Sequence, residues 1–304
     1  MRLTNDQNLP QPLVDAVAAD DYSRGAADIS VTGLLGPPRI AELVRRYDDE
    51  LTEDASERIY SLFGKAIHKI LEESNRVGIA EQRLFMTVGD WTVSGQMDRM
   101  ALIDDGSGNH VLSDWKTASV WEIIYGVKPE REQQLNVYKV LAELNGYPVS
   151  RLEDVFILRD WSKGEARRSN APTLRASETG DSRNYPAKQV VVHPINIWPQ
   201  EEAFRFIAER VALHKAVRDG TIELPECTDE ERWARPAGFA VMKTGAKRAS
   251  RVCATEEEAE TYIAEKKLTD AFIERRVGES IRCLDYCPAA AVCEQWAQLQ
   301  VEPF

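Results

Sequence analysis

At 304 residues with 43% hydrophobic side chains, the chain can bury one substantial core with a smaller appended unit, which excludes disorder as its resting state. A net charge of −12 argues against a uniformly basic surface, and charges break every apolar stretch well before the ~18 residues of a membrane span. The polar start Met1-Arg-Leu-Thr-Asn-Asp6 is unlike a signal peptide, so a soluble, cytoplasmic protein with no membrane partner is expected.

The stretch to about Asp28 shows no sustained period. Apolar residues then cluster at Ile29-Ser-Val-Thr-Gly-Leu-Leu35, and Pro37-Pro38 with Arg39 to Tyr47 reads as a helix start and a short helix. A longer amphipathic helix is expected from about Ala55 to Glu73, where Ile59, Leu62, Phe63, Ala66, Ile67, Ile70 and Leu71 are spaced for one buried face. The period then changes. Glu81 to Val88, Trp91 to Leu102 and His110 to Trp115 are separated by the turn formers Gly89-Asp90 and Asp104 to Asn109, which predicts a three-stranded meander. A helix from about Glu130 to Leu144, ended by Asn145-Gly146, leads to a strand at Val155 to Leu158 that can pair alongside the meander after the helical crossover.

Gly164 to Pro186 reads as a loop, Gln189 to Val192 as a further strand and Glu201 to Val217 as a helix. After Gly220 the composition shifts to a hairpin (Phe239 to Met242 with Arg248 to Val252), a Thr255-capped helix and a cysteine cluster. The expected organisation is an N-terminal helical segment (1–45), an α/β core (46–218) and a C-terminal cysteine-bearing region (219–304).

Asp114-Trp115-Lys116-Thr117 ends the third strand of the meander. Residues at i and i+2 of a strand share a face, so Asp114 and Lys116 project together while Trp115 points away. Such spacing also occurs in ordinary surface ion pairs. In the preceding strand, Gly95-Gln-Met-Asp98 places a carboxylate where normal pairing of the meander sets it beside Asp114. Two neighbouring carboxylates repel, and a hard cation such as Mg²⁺ or Mn²⁺ relieves that repulsion by accepting oxygen ligands. His68, in Gly64-Lys-Ala-Ile-His68, is on the long helix, where a lone histidine is by itself most often a packing residue. Gln134 and Tyr138 are four apart, hence on one helix face. Glu81, at the start of the first strand, reads more readily as a surface-edge glutamate than as an outer partner of this group. Two basic stretches suit phosphates: Lys243, Lys247, Arg248 and Arg251, and Arg159, Lys163, Arg167 and Arg168. Trp121 and Trp161 are the aromatics available to a single strand, although packing is their commoner use.

The five cysteines are Cys227, Cys253, Cys283, Cys287 and Cys293. In a cytosolic chain, three thiols within one short segment point to a soft metal centre before a disulfide, and both zinc and an iron–sulfur cluster accept four thiolates.

The ordered series Gly-x-x-x-His68, Gly-x-x-Asp98, Asp114-x-Lys-Thr and Gln134-x-x-x-Tyr138 resembles the PD-(D/E)XK nuclease superfamily, in particular its RecB-like branch, over roughly Tyr60 to Asp160. The resemblance implies a restriction-endonuclease-like mixed central sheet flanked by helices and a Mg²⁺- or Mn²⁺-dependent DNA exonuclease acting on free ends in recombination, repair or end processing. It also implies that His68, Asp98, Asp114 and the Trp115 carbonyl hold the metal, that Lys116 assists the attacking water, and that Gln134 and Tyr138 support the site. Relatives of the CRISPR-associated and AddB types carry a 4Fe-4S cluster on three C-terminal cysteines and one distant cysteine lying before the histidine. Here the corresponding Leu34 to Arg39 has no cysteine, which leaves Cys227 or Cys253 to join Cys283, Cys287 and Cys293. Cys227 is expected, because it follows Leu224-Pro-Glu226 in a loop, whereas Cys253 ends a strand and reads as a small buried hydrophobe. The tail from Cys227-Thr-Asp-Glu-Glu-Arg-Trp233 through Tyr286-Cys287-Pro288 is also similar to that of bacteriophage exonucleases. The alternative readings are a non-catalytic DNA-binding or assembly subunit that keeps the fold, and a CRISPR-adaptation nuclease.

Overall fold

A computed structural model describes residues 1–19, 25–75, 77–169 and 185–301. The chain divides by its internal contacts into two units, one of residues 3–35 and 54–219 and the other of residues 1–2, 36–53 and 220–304.

In the first unit, helices α1 (Gln11–Ala18) and α2 (Val31–Leu35) flank a short strand β1 (Ile29–Ser30), and the long helix α3 (Ile59–Ser74) follows. The meander is β2 (Ile79–Val88), β3 (Trp91–Leu102) and β4 (His110–Ala118). Its first turn is the two-residue Gly89-Asp90, closed by the pairing of Val88 with Trp91, and Gly89 supplies the left-handed φ of 62° that such a turn uses. Helices α4 (Val120–Tyr125) and α5 (Pro129–Leu144) carry the chain to β5 (Val149–Leu158), which pairs in parallel with β4 from His110 to Ala118. A parallel pair requires such a crossover, so the helical period between the two strands anticipates the topology. Helix α6 (Lys163–Ser169), strand β6 (Val190–Ile195, antiparallel to β5) and helix α7 (Gln200–Arg218) complete the unit. β1 joins β3 in parallel at Val93 and Ser94, giving a mixed six-stranded sheet.

Helix α5 begins on Pro129 with Glu130 and Glu132 in its first turn, and the chain leaves it through Asn145 and Gly146. These are the residues that favour a helix start, complement its dipole and release it. The helix buries Leu135, Val137, Tyr138 and Leu141 against β2, β3 and β5, together with Met97, Leu112, Leu152 and Ile207. Its one buried amide, Asn136, donates to the carbonyls of Glu132 (2.9 Å) and Asn196 (2.8 Å) and accepts from the Trp198 amide (2.8 Å), tying α5 to the segment before α7. Gly95 is the point of closest approach. A Cβ built there would sit 2.6 Å from the Tyr138 ring and 2.8 Å from Leu141.

Several elements differ from the expectations drawn from sequence, among them α1, α4 and the start of β5 at Val149 rather than Val155. Residues Ala55–Arg58 form a 3₁₀ turn, with Asp54 accepting from the Ser56 amide, so α3 starts later. No described residue of α3 is fully buried, and Tyr60, Phe63 and Ile70 are largely exposed. The expected loop from Gly164 begins inside helix α6, and its residues 170–184 lie outside those described.

The other unit contains the helix Pro38–Arg46, the expected hairpin as Gly238–Lys243 with Arg251–Cys253, and the helix Glu256–Glu265, capped by Thr255 accepting from the Glu258 amide (3.2 Å). A third strand, Ala271–Arg276, pairs with Gly238–Lys243. Sequence did not reveal it, because its Glu-Arg-Arg end masks the strand period. No described helix is long and apolar enough to cross a membrane.

Gly95→Ala is expected to destabilise the protein by about 1–3 kcal/mol through overpacking against Tyr138. The effect is read as a lower urea midpoint at unchanged slope; an unchanged midpoint would mean that α5 yields freely.

Candidate functional site

Three strands and one helix deliver the site. Antiparallel pairing of β3 with β4 matches Arg99 to Ser113, so the next step of the same register sets Asp98 toward Asp114. The Trp115 amide donates to Asp98 Oδ2 at 2.6 Å, which fixes that carboxylate against the neighbouring strand. Pairing of β2 with β3 brackets Glu81 between Ala80↔Arg99 and Gln82↔Met97, placing it opposite Asp98. From α3, His68 reaches both. Its Nδ1 lies 3.3 Å from Asp98 Oδ1 and 3.5 Å from Glu81 Oε1, and its Nε2 lies 3.1 Å from the Trp115 carbonyl.

His68, Glu81 and Asp98 offer ligand atoms within 4.8 Å of one another, the one such group of three or more among the described His, Cys, Asp and Glu residues. Hydrogen bonds to Asp98 first and Glu81 second hold the imidazole protonated, its pKa pushed up to about 10 against the opposing effect of burial. One proton thus offsets two carboxylates in the space where a divalent cation would fit. The donors are two carboxylate oxygens and one imidazole, a set that suits a divalent cation.

Asp114 is buried and ion-paired with Lys116, its neighbour on the same face of β4. Burial pushes its carboxyl above the usual range; Lys116 pulls the other way, and the charge of Asp98 adds to the rise. Asp154 lies beside it in the parallel register of β4 with β5. It is also buried, neither of its oxygens has a hydrogen-bond partner among the described residues, and burial followed by the Asp114 charge pushes its pKa up to about 7. Gln134 Nε2 donates to the Tyr138 hydroxyl at 3.4 Å, and Tyr138 packs on Gly95, three residues before Asp98.

The structure therefore brings together His68, Asp98, Asp114, the Trp115 carbonyl and Lys116, with Tyr138 behind the strand that carries Asp98. Glu81 belongs to this group and is not the surface-edge glutamate that its sequence position suggests. Its φ of 51° is rare for a residue with a Cβ, and no sequence signal announces it. Gln96 donates to Glu81 Oε2 (2.7 Å) and accepts from Arg83 (2.7 Å), so the strained glutamate is held from behind. Asp154 was more readable: it shares a strand face with the buried Leu152, Phe156 and Leu158.

In the other unit, Cys227, Cys283, Cys287 and Cys293 line one cavity together with Arg39 and Arg232. Gln295 clamps the Cys227 backbone from both sides, accepting from its amide and donating to its carbonyl, each at 2.9 Å. Arg39 Nε donates to Cys293 Sγ at 3.4 Å, and its Nη1 donates to the carbonyls of Leu224 (3.2 Å) and Pro225 (3.4 Å). Burial pushes the Cys227 thiol up to about 12 and raises those of Cys283 and Cys287. Cys253 lies apart, packed with Val241 and Ala259.

The family description that matches the sequence is the PD-(D/E)XK nuclease superfamily, over residues 38–294. None of the curated proteins matches the chain. Among solved structures, the crystal structure of SSO0001 matches at 15% identity, covering 67% of this chain and 83% of that one, with a TM-score of 0.42.

The geometry around His68 has a pH signature. Because the fold raises its pKa, the stabilisation from the protonated ring is complete below the ordinary histidine value near 6.5 and fades as pH climbs through about 10. In chelator, the Tm advantage of wild type over His68→Ala should be larger near about pH 6 than near about pH 10.5. A gap that ignores pH would reject the ion pairs with Asp98 and Glu81.

Proposed function

Since the chain belongs to the PD-(D/E)XK nuclease superfamily, we propose that it is a metal-dependent DNA exonuclease of the RecB-like type, hydrolysing phosphodiester bonds at DNA ends in recombination, repair or end processing. The observation that carries this reading is the meeting of His68, Glu81 and Asp98 beside the Asp114–Lys116 pair.

His68, Asp98, Asp114 and the Trp115 carbonyl would hold Mg²⁺ or Mn²⁺, with Glu81 as a further oxygen donor. When bound, the ion polarises a phosphate oxygen and acidifies water. The protein's own groups do the remaining work. Asp98, anchored by the Trp115 amide, keeps one orientation through the reaction. Lys116, positioned by Asp114, orients the attacking water and offsets the charge that builds on phosphorus in the transition state. The Gln134–Tyr138 pair supports β3 from behind.

Cys227, Cys283, Cys287 and Cys293 line one cavity, and together they would hold a 4Fe-4S cluster, with zinc as the alternative occupant of four thiolates. Raised thiol pKa values mean that loading displaces protons. The group's work would be structural, stapling the end of the chain within its own unit, since hydrolysis needs no electron transfer.

With Mg²⁺ or Mn²⁺ and end-labelled DNA, wild type should degrade linear substrates and spare closed circles, while Lys116→Ala loses at least about a hundredfold in rate. Equal rates in the two proteins would remove Lys116 from the mechanism, and cutting of circles would remove the exonuclease mode. Purified without oxygen, the protein should be brown and contain iron and sulfide. Cys227→Ser should lose the colour and Cys253→Ser keep it; a colourless zinc protein would refute the cluster.

A further inference from the structure

The helix after the Asp114–Lys116 strand presents exposed aromatic rings. Trp121 and Tyr125 of α4 stack on each other, with ring centroids 5.4 Å apart and planes 18° from parallel, and are 40% and 81% exposed. On α3, Tyr60 is 67% exposed with the Arg159 guanidinium 4.8 Å over its ring, and Phe63, one turn along, is 59% exposed. Exposed rings forgo the burial that normally holds aromatic side chains, and where they sit on neighbouring segments they indicate a partner surface.

Hydrogen bonds tie the segments that carry these rings to the end of β4. The Arg159 amide donates to the carbonyl of Ala118, the last residue of β4. Asp160, next in the chain, accepts from the Val120 amide (2.8 Å) and from the Ser119 hydroxyl (2.7 Å), pinning the start of α4 to the end of β5. Gly64, between Tyr60 and His68 on α3, faces Thr117. Tyr60, Arg159 and α4 therefore lie around the C-terminal ends of the parallel strands β4 and β5. Ala118 is about 7 Å along β4 from Lys116.

Resting on the nuclease reading above, we propose that Trp121 and Tyr125, with Tyr60 and Arg159, form a base-stacking platform that leads a single DNA strand to the Asp98–Lys116 site. The chemistry selects this occupant. A flat aromatic face takes any base, an arginine packed on a tyrosine is held ready for a phosphate, and neither reads sequence, which suits progressive digestion. Paired bases in a duplex present their edges and backbone, so the platform favours strands whose bases are free. It also answers how a chain of net charge −12 can bind a polyanion: stacking contributes affinity that the overall charge does not supply.

The test is binding of fluorescein-labelled dT20 and of an abasic 20-mer by fluorescence anisotropy, with Ca²⁺ replacing Mg²⁺ or Mn²⁺. Wild type should prefer dT20. Trp121→Ala and Tyr125→Ala should each weaken dT20 binding about tenfold and leave abasic binding unchanged, while Trp121→Phe and Tyr125→Phe retain most of the affinity. Equal binding of the two oligonucleotides by wild type, or alanine variants that bind dT20 like wild type, would overturn the platform and turn the exposed rings toward a protein partner. A wild type that cuts DNA and shows either result keeps the nuclease reading and loses this one. A wild type that neither cuts nor binds DNA loses both.

Discussion

Asp114 sits midway along a central strand with almost no access to water, and a carboxylate there is costly unless its charge is met. Lys116 meets it from two residues along the same face, and the surrounding architecture holds the pair in place. The parallel neighbour β5 covers one side, the antiparallel neighbour β3 the other, and α5 closes over the sheet where Gly95 lets Tyr138 come near. Asp154, forced into the same low-dielectric region by the register of β5, has its carboxyl raised toward neutrality because it lacks comparable partners. The site is thus an electrostatic load at a sheet centre, carried by the topology.

The second set of charges is arranged differently. His68, Glu81 and Asp98 are only half-buried, and a single imidazolium balances two carboxylates. Such a balance is poised, because one proton stands against two negative charges. Backbone strain at Glu81, held by Gln96 and Arg83, keeps that glutamate turned inward. In the unit carrying the cysteines, arginine and glutamine side chains likewise fix the chain around Cys227 and Cys293.

Much of this was legible in the chain. Period and punctuation located the meander, the crossover helix and the following parallel strand, since a two-residue Gly89-Asp90 turn and an Asn145-Gly146 stop each have one dominant local reading. The i, i+2 rule put Asp114 and Lys116 together, and motif order linked them to His68, Asp98, Gln134 and Tyr138. Local rules failed where a residue's environment comes from elsewhere. The apolar stripe of α3 implied a fully buried face, yet Tyr60 and Phe63 remain exposed, because periodicity reports which residues share a side and not what covers it.

Sequence alone therefore determined the α/β class, the order of the main elements and the placing of two acids and a lysine on adjacent strands, all of which follow from backbone periods of 2 and 3.6; that β4 continues past them to Ala118 only the structure decided. Tertiary structure decided the partners. Register turned Glu81 from an edge residue into the third member of the His68–Asp98 group, set Asp154 beside Asp114, and gathered Cys227 with thiols more than fifty residues away while leaving Cys253 in an apolar core. The physical reason is the same in each case: pairing and packing between distant segments fix a side chain's neighbours, and those neighbours set its charge and its chemistry.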